Sequence, residues 1–156
     1  MSNEEADLLT LENQVCFALA VASRSVLALY RPILEPLGLT HPQYLVMLAL
    51  WETSPRSVKE LGSALALEPP TLSPLLKRLE SAGLITRTRS ARDERVLDIE
   101  LTEAGRELRA SAERIPPRII AELGMSLPEL THLRETLHDV IRAADPASHP
   151  LSTPVG

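Results

Sequence analysis

Cys16 is the only cysteine in the chain, and a thiol is both a nucleophile and the side chain most readily oxidised. Alone it forms no intrachain disulfide, and no Cys/His cluster has zinc spacing. It lies in a stretch of helical periodicity from Leu8 to Tyr30. Leu8, Leu11, Val15, Leu19, Ala22, Val26 and Leu29 form one apolar stripe of that stretch, and Cys16, Ala20, Ser23, Leu27 and Tyr30 an adjacent one. Cys16 and Tyr30 share a face but stand roughly 21 Å apart along a continuous helix, so they meet within one chain only if the helix breaks. A cysteine on an apolar helix is ordinarily a small buried hydrophobe, and redox chemistry is the competing reading.

The second chemical group is basic. Between Lys77 and Arg95 stand six basic and three acidic residues, which leaves the rest of a chain of net charge −5 strongly acidic. Phosphate neutralisation needs only a local patch, so the acidic remainder does not exclude a nucleic acid. Leu72, Leu75, Leu76 and Leu79 mark the buried stripe of a helix whose other face carries Thr71, Ser73, Lys77, Arg78 and Ser81. Pro69 and Pro70 stand near its start and Gly83 where a C-terminal cap is expected. If Thr71 is the N-cap, Pro74 falls in the first turn; if the helix starts earlier, Pro74 should bend it. Two β-prone runs follow, Leu84–Arg89 and Val96–Leu101, joined by a charged loop.

The elements that must position these groups are mainly helical. Ser57-Val58-Lys59-Glu60 is a capping box opening a helix with Val58, Leu61 and Leu65 inward. That helix and the basic one form a helix-turn-helix, and the hairpin supplies a wing. The fold class is therefore mainly α with a small β-wing: a winged helix-turn-helix with added N- and C-terminal helices. Lys77, Arg78, Arg87, Arg89 and Arg92 read as phosphate contacts, and Thr71 and Ser73 as major-groove candidates. Arg95, from the hairpin tip, suits a narrow minor groove, with Asp93 holding its guanidinium; the plainer reading is a solvated ion pair.

Elsewhere, Arg31-Pro32 should interrupt the first helix. Thr40-His41-Pro42-Gln43 is a capping box, and the helix through Glu52 is dense enough in apolar residues to be the buried centre. Thr102 should start another helix, which Pro116-Pro117 should bend or break, and Ser126-Leu127-Pro128-Glu129 caps a last one with Leu130, Leu133, Leu137, Ile141 and Ala144 on one face. From Asp145 on, the composition suggests a disordered tail. At 156 residues the chain is expected to be one domain, with flanking helices at about 8–37 and 103–144, a central lobe at about 40–102 and the tail at 145–156. The acidic N-terminus lacks a signal peptide's basic and apolar regions, and the apolar run Val15 to Ala22, followed by Arg24, is too short to span a bilayer. A cytoplasmic protein without membrane partners, metal or cofactor is expected.

Asp93-Glu94-Arg95 followed by Ile99-Glu100-Leu101-Thr102 resembles the wing signature of the MarR family of regulators. Leu11-Glu12-Asn13-Gln14-Val15-Cys16-Phe17, Tyr30-Arg31-Pro32 and Pro42-Gln43-Tyr44 resemble its organic-hydroperoxide-sensing subgroup, and the resemblance extends from about Leu11 to Leu137. It implies a homodimer with interlocking terminal helices on a pseudo-palindromic operator duplex. It also implies a peroxide-sensing role for Cys16, with Tyr30 hydrogen-bonding it from the opposite subunit. The family's second tyrosine falls at His41, whose neutral imidazole can still donate or accept. With one cysteine, oxidation to sulfenic acid would end in a mixed disulfide with a small cellular thiol. One rival is a MarR-type repressor released by a phenolic or anionic ligand, with Cys16 incidental. The other, a peroxide-destroying thiol enzyme, lacks a second cysteine and any convincing Cys-His-acid constellation.

Overall fold

The computed structural model describes residues 7–145. Its elements are α1 (Val15–Leu34), α2 (His41–Glu52), β1 (Arg56–Ser57), α3 (Val58–Leu65), α4 (Pro69–Ser81), β2 (Ile85–Arg89), β3 (Leu97–Leu101), α5 (Glu103–Ala112), α6 (Ile115–Leu123) and α7 (Leu127–Ala144). Among the described residues the chain packs as two units, 7–115 and 116–145. The first contains the winged helix.

At its centre is α2, which touches α1, α3, α4, α5 and β3 and buries Val46, Met47, Ala49 and Leu50. Around it close Leu61 of α3, Leu72, Leu76 and Leu79 of α4, and Ile85 and Ile99 of the sheet, each almost wholly buried. The three leucine positions on α4 lie at i, i+4 and i+7, so one face of that helix is committed to the core and the other is left to solvent. The sheet is antiparallel in the order β1-β3-β2, with Ile85 opposite Leu101 and Arg89 opposite Leu97. The two-residue β1, pairing Arg56 with Ile99, was not expected.

Local signals set most helix starts. Thr40 with Gln43, Ser57 with Glu60 and Ser126 with Glu129 each form both bonds of a capping box. The hydroxyl of Thr102 accepts from Gly105 N at the start of α5. Gly83 at φ 77° closes α4: Leu84 N donates to Leu79 O at 3.1 Å and Gly83 N to Glu80 O at 2.9 Å, the two bonds of a Schellman ending.

Two boundaries depart from expectation, and a third decides between two starts left open. The chain before Val15 forms two 3-10 turns, Asp7–Leu9 and Leu11–Asn13, and an extended Gln14, instead of the early turns of α1. Gln14 donates its carboxamide N–H to Leu8 O and Thr10 O and so secures the turns instead of capping the helix. Second, α1 runs through Pro32 to Leu34: the missing N–H costs one bond, and the buried Ile33 and Leu34 hold the last turn in register. Third, of the two starts left open for α4 the structure takes the earlier: the helix begins at Pro69, with Glu68 extended before it as N-cap. Proline φ is already helical at the first two positions, and Pro74 then lies inside the helix. The break expected at Pro116-Pro117 falls just before them, where α5 ends at Ala112 and α6 begins at Ile115.

The apolar stretch also continues beyond the run from Val15 to Ala22. With its arginines included, Val15–Leu37 is long and apolar enough to cross a membrane by length and composition, with mean hydropathy 1.4, and it is mostly exposed. In unit two, α7 leaves Leu133 and Ile141 of its stripe exposed, with Val140 beside them. The expected tail, Asp145 apart, lies outside the described residues.

Candidate nucleic-acid interface and thiol site

Because Leu72, Leu75, Leu76 and Leu79 turn inward, α4 presents Thr71, Ser73, Lys77 and Arg78 to solvent, all exposed. The wing is tied at its base and at its tip. At the base, Thr102 donates its hydroxyl to Gly83 O at 2.7 Å and its N–H to Leu84 O at 3.0 Å, fastening the exit of β3 to the end of α4. At the tip, Arg89 donates to Glu94 O at 2.6 Å and Ser90 N to Val96 O at 2.8 Å. Arg92, Asp93 and Arg95 are exposed. Asp93 accepts from Arg95 N at 3.0 Å, and the Arg95 guanidinium, 94% exposed, lies 3.8 Å from the same carboxylate oxygen.

Arg87 is placed differently from its neighbours. Its guanidinium donates from Nε and Nη2 to both Glu80 oxygens at 3.1 and 3.0 Å, which holds the Glu80 carboxyl below the usual carboxylate range. Sequence reading passed over Glu80, whose role depends on which face of β2 Arg87 occupies.

Cys16 is exposed and is the second residue of α1. The helix is continuous to Leu34, so Tyr30 lies about four turns away and does not reach Cys16 of its own chain. Tyr30 and His41 do come together, edge to face with ring centroids 4.7 Å apart. Tyr44, almost fully buried, packs 6.0 Å from Tyr30 and 6.3 Å from His41. Burial pushes both phenols up and the imidazole down, so a neutral cluster is favoured. For His41, desolvation alone causes the shift. Beside it Leu27, Arg31, Leu34, Glu35, Leu39 and His41 line part of a cavity of about 530 Å3; Arg31 as its cation was not anticipated. Among the described residues no group of three His, Cys, Asp or Glu is arranged to hold a metal ion.

The His41 shift fixes a sign. An imidazole whose folded pKa is depressed contributes stability that is complete above the unfolded value, near 6.5, and is lost as pH falls through the folded value. Replacing His41 with phenylalanine is expected to flatten the dependence of unfolding free energy on pH between about 7 and 5. Parallel urea titrations across that range, equally steep in parent and variant, would contradict it.

The chain matches the family of the transcriptional regulator SarA/Rot over residues 28–111. It is 44% identical over 135 residues to the organic hydroperoxide resistance transcriptional regulator of Bacillus subtilis, covering 86% of this chain and 92% of that one. Reduced AbfR bound to DNA superposes with TM-score 0.73 at 34% identity, covering 90% of this chain and 98% of that one; AbfR comes from Staphylococcus epidermidis. CouR of Rhodococcus jostii, bound to p-coumaroyl-CoA, superposes with TM-score 0.73 at 25% identity over 85% of this chain and 94% of that one. With the helix-turn-helix and wing in place and these relatives spanning most of its length, the chain belongs to the MarR family of winged-helix, DNA-binding transcriptional regulators, in the branch of the organic hydroperoxide resistance regulator.

Proposed function

We propose that this protein is a cytoplasmic repressor which binds a pseudo-palindromic operator as a homodimer and releases it when an organic hydroperoxide oxidises Cys16. One observation carries the reading: the thiol is exposed in the first turn of a helix whose apolar surface the chain itself leaves uncovered, Val15 being 68% and Phe17 41% exposed. A second copy laid on α1 covers that surface and can bring its own Tyr30 and His41 to a sulfur that the intrachain pair cannot reach. The names of the relatives agree, since one is an organic hydroperoxide resistance regulator and AbfR has been captured on DNA both reduced and overoxidized. Helices at about 8–37 and 103–144 then form the dimer, and the lobe at 40–102 reads DNA. The same exposed apolar surface explains why α1 resembles a membrane span: Arg24 and Arg31 interrupt it, and a protein seam suits it better than lipid.

In the reaction, the Cys16 sulfur, as its anion, attacks the terminal oxygen of the hydroperoxide. The S–O bond forms as the O–O bond breaks; sulfur is oxidised to sulfenic acid, and the peroxide is reduced to an alkoxide that takes a proton and leaves as alcohol. A small cellular thiol then attacks the sulfenic sulfur, forming a mixed disulfide and releasing water. Tyr30 and His41 of the partner subunit hydrogen-bond the reduced sulfur, and the adduct's bulk displaces them. That motion carries the two winged helices out of register with successive major grooves.

Cys16→Ser tests this directly: it should bind operator like the parent and no longer be released by cumene hydroperoxide, with a small thiol present in both titrations. Equal release from parent and variant would remove the thiol from the mechanism. The dimer carries its own expectation, that the protein sediments as a dimer at micromolar concentration and that dissociation and unfolding coincide. A monodisperse folded monomer would contradict it.

A second reading has support from the cavity beside Arg31 and His41 and from ligand-bound CouR: a phenolic or anionic ligand releases the operator from that cavity. It predicts release of Cys16→Ser by such a ligand, weakened in Arg31→Ala.

A further inference from the structure

We infer that Glu80 and Arg87 act as a latch that sets the angle of the wing to the recognition helix α4, so that Arg87 serves DNA binding by positioning and not by touching phosphate. The geometry begins with strand parity. Residues two apart on a strand share a face, so Arg87 shares the face of the buried Ile85, which packs toward the core; it stands opposite Ile99 in the ladder, also buried. That face is directed at α4 and away from a duplex lying along the exposed side of that helix. There Glu80, in the last turns of α4, receives both forks of the guanidinium at 3.1 and 3.0 Å, a planar bidentate match that fixes orientation as well as distance.

The wing base has a second fastening on its other strand, from Thr102 to Gly83 O and Leu84 O. β3 is also held along its other edge by β1, so the latch on β2 completes the fastening of both strands and defines the angle. Simultaneous contact of α4 with a major groove and of Arg95 with the neighbouring minor groove requires that angle to be held. Rim ion pairs of this exposure, 29% and 40% at the side chains, contribute little to stability. The latch therefore matters for geometry more than for folding.

The inference makes an opposite-sign prediction for the carboxylate. If Arg87 were a phosphate contact, removing Glu80 would free it and take a negative charge from the interface, so binding would tighten. If the pair is a latch, Glu80→Gln weakens binding by about threefold. The probe is a duplex selected by the parent protein from a randomised pool, titrated at several salt concentrations. Glu80→Gln, Arg87→Gln and the double variant should all lose affinity to a similar degree, because the second change removes nothing that the first has left. Their dependence on log salt should keep the parent slope, whereas loss of one phosphate contact would lower it by about 0.9. The charge swap Glu80→Arg with Arg87→Glu should recover part of the affinity. Tighter binding by Glu80→Gln, or a reduced salt slope in Arg87→Gln, would overturn the inference and return Arg87 to the phosphate contacts. Circular dichroism melts within a degree or two of the parent would show that the variants fold.

Discussion

Gly105→Ala will destabilise the fold by about 2–3 kcal/mol, although glycine to alanine inside a helix normally stabilises by about 1 kcal/mol. The sign reverses because Gly105 is where α5 crosses the chain leaving α4. A Cβ built there lies 2.2 Å from Leu84 O, with Leu84 C and Leu101 Cδ2 both at 3.2 Å. Leu84 O cannot retreat cheaply, since it accepts from Thr102 N and belongs to the junction that carries the wing. On the other side, Gly105 O accepts from Trp51 Nε1 at 2.8 Å, so moving α5 away strains the link to α2. Trp51 is the chain's only tryptophan, which makes its fluorescence a local as well as a global reporter. Urea titration should show a lower midpoint, and the folded variant should show altered emission. A midpoint equal to or above that of the parent would mean that α5 can shift at no cost.

Arg95→Ala will weaken operator binding by about 1–3 kcal/mol at fixed salt. The side chain is almost wholly free in the unbound chain, yet its direction is not random: Asp93 receives the Arg95 N–H and stands beside its guanidinium. The wing tip itself is closed by Arg89 on Glu94 O and by Ser90 on Val96 O. Such an arginine reaches a minor groove with little further ordering, and a narrow groove rewards it most. Lys77→Ala should behave differently, weakening binding to every sequence alike and lowering the salt slope by about 0.9. Fluorescence anisotropy on selected and scrambled duplexes separates the two. If Arg95→Ala bound the selected duplex as tightly as the parent, the wing would have no part in recognition.

The sequence was most legible wherever a signal closes on itself within a few residues. Thr40 with Gln43, Ser57 with Glu60 and Ser126 with Glu129 announce helix starts because both partners of each bond are three positions apart, and the four leucines of α4 announce a buried face for the same local reason. Gly83 was readable as a helix end because the positive φ it adopts is a property of the residue. Long-range partners decided the rest. β1 is strand only because β3 passes beside Arg56 and Ser57. Whether Pro32 ends α1 depends on burial of the two residues after it. The start of α1 turned on Gln14, whose carboxamide reaches backward to Leu8 and Thr10. At the sites, the exposed face of α4 and the charged wing tip were readable from residue type. The Tyr30–His41 contact was not read from spacing, since the turn between the two residues sets how they meet; resemblance named both only as partners of a thiol. The pairing of Arg87 with Glu80 needed strand parity, which a one-residue error in the boundary of β2 would have reversed.

The backward reach of Gln14 also ranks the helices by how readily their ends unwind. Opening the first turn of α2, α3 or α7 breaks two reciprocal side-chain bonds along with the backbone ladder, but opening the first turn of α1 breaks no side-chain cap. Local opening free energies follow such differences. The turn that carries the chain's only sulfhydryl is therefore among the helix starts least protected against fraying.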